Sequence, residues 1–478
     1  MSIARKALIQ KNKTQARLAL YGLPVVLVAV SLAVIRYADW TRLKETSWAN
    51  VDYESIRSVQ IFREYLRFDT TYPNGNEIPA AEYIAGLLSA EGIDVEIERL
   101  GSRNANLIAT LEGDEPKALG LHGHVDTEPI RRPEAWRVDP FGGVMELPFI
   151  YGRGAFDMKS VTVAQVMAML DLKRRSPRPR RTVKLLLTSD EERDSWVGTR
   201  RLLKVRPELR DGFWAVLTEG GAVEALSLES VKYWGTEFQQ KRFVDVWVCD
   251  GNPARLFDVR EELQGRETGR VLDSDVATFL PFYASTRDRP QTRELLSSPT
   301  SLLDRLRTYP EDIGPTVLPP NVERIMRSQI SAFPIEEDPT GGYIFRAILH
   351  LLPQLQVADV WDELIGDRLA GFTYQVEEVN PPVVGSDLDH EAFKMIGELM
   401  KEVYPEYTHG PLFIPYSATD ARYFRQYGIP VFGFSPFHFL SDDARKMRGV
   451  DERLPAPSFV AGVELYSELV FRLAGDEN

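Results

Sequence analysis

Between residues 121 and 221, four short segments carry side chains that bind metal ions or move protons. The first is Leu121-His122-Gly123-His124-Val125-Asp126. Alternate residues of an extended chain share a side, so His122, His124 and Asp126 point one way and a carboxylate can orient an imidazole. The second, Tyr151 to Lys159 (YGRGAFDMK), sets glycines ahead of Asp157 and a helical pattern from about Ser160. Asp157 either caps that helix, where a negative charge is favoured, or offers its carboxylate to a metal. The third is Ser189-Asp190-Glu191-Glu192, directly after the apolar run VKLLLT. Adjacent side chains diverge there, so one carboxylate can ligate a metal while its neighbour faces a water as general base. The fourth, Leu217-Thr218-Glu219-Gly220-Gly221, puts one more carboxylate after an apolar run. Taken singly, each has a plainer reading: a hydrogen-bonded turn, a helix cap, or a solvated acidic edge.

For these groups to meet, the strands that carry them must end side by side. Ser55–Leu66 and Ile78–Glu91 read as amphipathic helices, and Val95–Arg99, Asn106–Leu111, Lys117–Leu121, Val183–Thr188 and Trp214–Leu217 as short strands. The alternation predicts an α/β fold with ligand-binding groups at the carboxyl ends of the strands. Past about Glu229 the pattern changes, and the Pro- and Arg-rich run Gly265–Pro320 reads as an irregular insertion. Tyr343–Leu352 is strand-like and Val357–Leu369 helix-like. From Ser386 a helical pattern leads back to strands, Val431–Ser435 being the clearest. The expected organisation is a catalytic domain in two parts, 55–230 and 385–478, interrupted by a smaller domain at 231–384.

The formal charge of -13 is unevenly placed: residues 1–50 carry a surplus of positive charge and the remainder is strongly acidic. An acidic body argues against nucleic acid as a partner. Cys249 is the only cysteine, which excludes an intrachain disulfide and a thiolate zinc site. Any metal must be held by His and carboxylates. Residues 18–35 carry no charge and follow five basic residues. Because ~20 apolar residues cross a bilayer, this predicts a basic cytoplasmic tail at 1–17 and a transmembrane helix at 18–37. The positive-inside rule then predicts a single-pass membrane protein with its catalytic domain outside the cytoplasm. A cleaved signal peptide is the alternative.

In order, GHVD (123–126), GAFDMK (154–159), SDEE (189–192) and TEGG (218–221) resemble the motifs of the two-zinc metallopeptidase and aminoacylase family. That family includes aminoacylase, carboxypeptidase S, glutamate carboxypeptidase and succinyl-diaminopimelate desuccinylase. SATDARYF (417–424) and GVDERLP (449–455) extend the resemblance, which spans roughly residues 55–475. TEGG and FSP (434–436) are most similar to the carboxypeptidase S branch. The resemblance implies a zinc-peptidase-like catalytic domain with a central mixed sheet, an inserted α+β domain of the lid or dimerisation type, and so a possible homodimer. It makes Asp157 the carboxylate bridging two zinc ions, with His124 and Glu219 completing one site and Glu192 belonging to the other. Glu191 becomes the general base and Asp126 the partner of His124. The substrate implied is a small peptide or an N-acyl amino acid.

Several positions depart from the family pattern. Arg448 stands where the last zinc-ligating His is expected, and arginine offers no lone pair. No histidine occurs between His124 and His350, so the inserted segment lacks its usual one. His350 itself stands where relatives carry an arginine that holds the substrate carboxylate, and Ala418 replaces a glycine before Thr419, Asp420 and Arg422. Arg448, His350, Thr419, Asp420 and Arg422 are the candidate substrate-binding residues. Arg448 either pairs with Glu192 in place of a metal or clamps a substrate carboxylate, and one tightly bound zinc is expected instead of two. Two readings stand: an altered metal-dependent amide hydrolase, and a non-catalytic relative that keeps the fold for binding or partnering.

Overall fold

The computed structural model describes residues 51–227, 230–287, 290–308, 320–415, 417–439 and 441–476. The chain divides into two units, residues 1–56 and 57–478. Of the first unit only 51–56 are described, and they contain the short turn Tyr53–Ser55.

The second unit is organised by a nine-stranded mixed sheet. Its order is Asp94–Leu100, Asn104–Leu111, Arg181–Thr188, Glu115–His124, Phe213–Thr218, Val431–Gly433, Ser230–Gln240 and His409–Ile414, with Ala222–Ser227 paired beside Ser230–Gln240. Arg181–Thr188, Glu115–His124 and Phe213–Thr218 run parallel, in a register that aligns His124 with Thr188 and Leu121 with Leu217. Leu119, Leu121, Leu185, Leu187, Ala215 and Leu217 are buried, which suits strands covered on both faces. Three segments rich in ligating groups therefore leave the sheet at one edge, as crevices at strand ends require.

A small three-stranded sheet pairs Arg453–Pro455 with Phe149–Tyr151, and the latter with Val144–Glu146. It draws the segment after Arg448 against the loop that carries Asp157. The turn into that loop needs Gly154, whose φ is +81° and where a Cβ would stand 2.8 Å from Thr127 Cγ2.

A second, antiparallel sheet is built from Gln329–Ala332, Tyr343–Leu351, Arg242–Asp250 and Thr373–Glu378. One face is apolar: Val244, Val246, Val248, Phe345, Ala347 and Leu349 pack with Leu256, Val259, Leu263, Val360 and Leu364. The opposite face, by strand alternation, carries Phe243, Asp245, Arg346 and His350. The expected insertion 231–384 thus opens with a strand, Ser230–Gln240, that lies in the first sheet.

Gly265–Pro320 was expected to be irregular, yet it contains helices Ser274–Ser285, Pro290–Ser297 and Pro299–Thr308. The prolines that suggested irregularity occupy the first helical position of two of them, where the missing N–H costs nothing. Asp273 caps the other by accepting from Asp275 N–H.

Among the described residues no helix is long and apolar enough to cross a membrane. The longest, Ala456–Ala474, contains Glu464, Glu468 and Arg472 and packs against Lys159–Arg175, which ends in Lys-Arg-Arg. Both are elements of the folded body, unlike the ~20 uncharged residues that a bilayer demands. The expected span at 18–37 lies outside the described residues. The expectations of an N-terminal transmembrane helix and of a single-pass membrane localisation are corrected accordingly: the fold is α/β around a mixed sheet.

Candidate metal centre

His124 ends its strand with the imidazole fully buried. Its Nδ1 lies 2.8 Å from the Asp126 carbonyl oxygen and 3.6 Å from Asp126 Oδ1. An Nδ1–H donated to that carbonyl leaves Nε2 facing the centre. Asp157 Oδ1 stands 3.2 Å from Nε2, and Glu219 Oε1 3.6 Å from it. Metal bonds of about 2.0–2.2 Å put tetrahedral ligand atoms roughly 3.3–3.6 Å apart, so the distance from His124 Nε2 to each carboxylate suits a zinc-sized ion. Two groupings of three bring ligand atoms within 4.8 Å of one another: His124, Glu191 and Glu219, and His124, Asp157 and Glu192.

The electrostatics point the same way. Burial raises the pKa of Glu191, Glu192 and Glu219 above the ordinary carboxylate range, and Asp157 adds to the effect on Glu192 and Glu219. Burial opposes charge on His124, but the Glu219, Asp126 and Asp157 carboxylates outweigh it and raise its pKa. Asp157 is likewise penalised by burial, yet Arg448 and His124 hold it below the usual range. Glu192 Oε1 is buried with no hydrogen-bond partner. So many carboxylates in one buried site are short of positive charge, which a divalent cation would supply.

The turn Glu191–Arg193 aims its carboxylates because its backbone is fixed from both sides. Asp126 accepts the amide N–H groups of Glu191 and Glu192, each at 3.0 Å. Asp190, Asp194 and Ser195 adopt positive φ, a conformation that non-glycine residues hold only when surrounding bonds insist. Those bonds are visible. Ser195 N–H donates to Asp190 O at 2.7 Å, Ser195 Oγ donates to Asp420 Oδ1 at 2.5 Å, and Tyr423 OH donates to Asp194 O at 2.7 Å.

Among the candidate substrate-binding residues, Thr419 donates through its N–H and hydroxyl to Gln240 Oε1 at 2.8 and 3.2 Å. Asp420 Oδ2 lies 3.6 Å from His122 Nε2. Arg422 pairs with Asp194 at 3.2 Å, and its guanidinium lies 5.7 Å from the Phe243 ring centre. Arg346 of the second sheet bonds the same Asp194 as well as Asp245, the latter at 2.9 Å. Arg200 adds a link at 3.2 Å to Glu377 of that sheet. The polar face of the second sheet thus closes over the loop that carries Glu191 and Glu192. His350 lies on this face against the Phe243 ring, with both ring nitrogens lacking a hydrogen-bond partner. Arg448 reaches the centre directly: Nε donates to Asp157 Oδ2 at 2.6 Å and Nη2 to Glu192 Oε2 at 3.0 Å.

A family model described as peptidase family M20/M25/M40 matches residues 120–472. The chain belongs to this family. Aminoacylase-1A of Rattus norvegicus is 27% identical over 426 residues, covering 87% of this chain and 95% of the relative. The M20 family metallo-carboxypeptidase Sso-CP2 from Sulfolobus solfataricus has the same fold, with a TM-score of 0.62 at 18% identity over 87% of this chain and 98% of that one. The Bacillus subtilis YXEP protein, a dinuclear metal binding peptidase, matches with a TM-score of 0.51 at 12% identity over 87% and 97%. M20 membership makes the chain a hydrolase of the peptidase and aminoacylase type, and the cluster of metal-ligating groups is in keeping with it.

Two residues of this M20 site escaped the sequence reading. Glu452 is buried and accepts from the amide N–H groups of Phe156 and Asp157 at 2.9 and 3.2 Å. Arg153, also buried, donates to Glu452 Oε2 at 2.5 Å and to the Arg448 carbonyl at 3.1 Å. Together they tie the Asp157 loop to the Arg448 segment. Both lie inside recognised motifs, but a pair separated by 299 positions leaves no local pattern.

Proposed function

We propose that this chain hydrolyses an amide bond in an N-acyl amino acid or a short peptide, using zinc held by His124, Asp157 and Glu219. The observation that carries this reading is one cluster in which His124, Glu191 and Glu219 approach within 4.8 Å, with Glu191 buried and its pKa raised. A divalent ion held there would polarise the scissile carbonyl and acidify water. Glu191 takes the proton of the attacking water and passes it to the leaving amine, work suited to a buried carboxylate whose pKa lies above its ordinary value. Asp126 fixes both partners, His124 through its carbonyl and the Glu191 backbone through its carboxylate. The near full-length match to an aminoacylase supports the substrate class.

The expected outcome is hydrolysis of members of a panel of N-acyl amino acids and dipeptides that stops on chelation and returns with added Zn2+. One observation favours a second reading, an impaired relative that binds without turnover: Arg448 already bonds Asp157 and Glu192. A fully metallated chain that hydrolyses no member of the panel decides for that reading.

A further inference from the structure

We propose that the Arg448 guanidinium fills the second metal position of this M20 centre, so that the chain binds one divalent ion where a dinuclear relative binds two. The inference rests on the metal-hydrolase reading above and deepens it.

Asp157 divides its two oxygens between two partners. Oδ1 faces His124 Nε2 at 3.2 Å, and Oδ2 accepts from Arg448 Nε at 2.6 Å. A carboxylate bridging two ions uses its oxygens in the same way, one toward each. The guanidinium also reaches Glu192 Oε2 at 3.0 Å through Nη2, so its fork spans both carboxylates left for a second ion. It contributes no lone pair, and its positive charge repels a cation from that position. A guanidinium keeps its charge throughout the ordinary pH range.

The arginine is built into place. Its backbone adopts a φ of 60°, its carbonyl accepts from Arg153 Nη2, and Arg153 is paired with Glu452, which holds the Asp157 loop. A guanidinium carries one positive charge where a zinc ion brings two, in keeping with a buried Glu192 Oε1 left without a partner. On the other side His124 Nε2 still faces Asp157 Oδ1 at 3.2 Å and Glu219 Oε1 at 3.6 Å, and Arg448 displaces neither.

The test is elemental analysis of the full-length chain after saturation with Zn2+ and removal of unbound metal. The expected counts are one zinc per chain for wild type, two for Arg448→His, and one for Glu192→Gln, because Glu192 bonds an arginine and no metal. The glutamine variant keeps the test decisive should the histidine variant fail to fold. Two zincs in wild type, one in a folded Arg448→His, or none in a folded Glu192→Gln each overturn the inference. A wild-type chain that binds no zinc overturns the metal-hydrolase reading itself.

Discussion

Asp126 shows how much a single carboxylate can organise: it receives two successive amide N–H groups, and its carbonyl fixes the ring that faces Asp157 and Glu219. His350 shows the reverse, a ring whose two nitrogens are buried with no hydrogen-bond partner. Burial, with Lys241 and Arg324 nearby, pushes its pKa down to about 4. An unfolded histidine titrates near 6.5, so below that pH the unfolded chain takes up a proton that the folded chain refuses until about pH 4. The stability present above pH 6.5 is therefore lost as pH falls toward 4, by about 3 kcal/mol. His350→Leu should lessen the pH dependence of the denaturation midpoint between those limits, leaving the share that His409 and His122 contribute there, and a wild-type slope in that variant would contradict the account. The residues that the sequence reading found were those whose chemistry shows at short range, such as His124 with Asp126 and Glu191 with Glu192. Arg153 and Glu452 were not legible, because a buried ion pair between distant segments has no periodicity.

At the scale of elements, the site exists because three parallel strands end level with one another and a small sheet brings the Arg448 segment alongside. The buried apolar strands and their polar ends were legible because burial on both faces leaves continuous hydrophobic runs. The helices at 274–308 were not, since a proline at a helix start looks like a breaker when tertiary context is unknown. One buried contact holds the helix Ala421–Arg425, which continues the SATDARYF segment, to the sheet. Arg425 donates through both terminal nitrogens to Glu237, at 2.7 and 2.8 Å, with both side chains buried. Arg425→Met strands the Glu237 charge and should cost about 3–5 kcal/mol in chemical denaturation. Adding Glu237→Gln should recover part of that loss. A change below about 1 kcal/mol in the single variant would show that the pair does not tie these elements together.

For the molecule as a whole, the α/β body was legible from the alternation of strands and helices, whereas a lid-type inserted domain was expected only from the family resemblance. The membrane expectation rested on hydropathy at residues 18–35, outside the described residues, and no described helix supports a span. What the whole fold delivers is one buried site where His124, Glu191 and Glu219 come together, in the proposed function a metal position beside a proton acceptor. Glu191→Gln separates the two, since it removes the acceptor and leaves His124, Asp157 and Glu219 in place. The decisive measurement is kcat for this variant on a substrate that the wild type hydrolyses, with zinc content determined on the same sample. The account predicts zinc retained at the wild-type level and kcat lowered by about 10²–10⁴-fold. Unchanged kcat with zinc retained would contradict it.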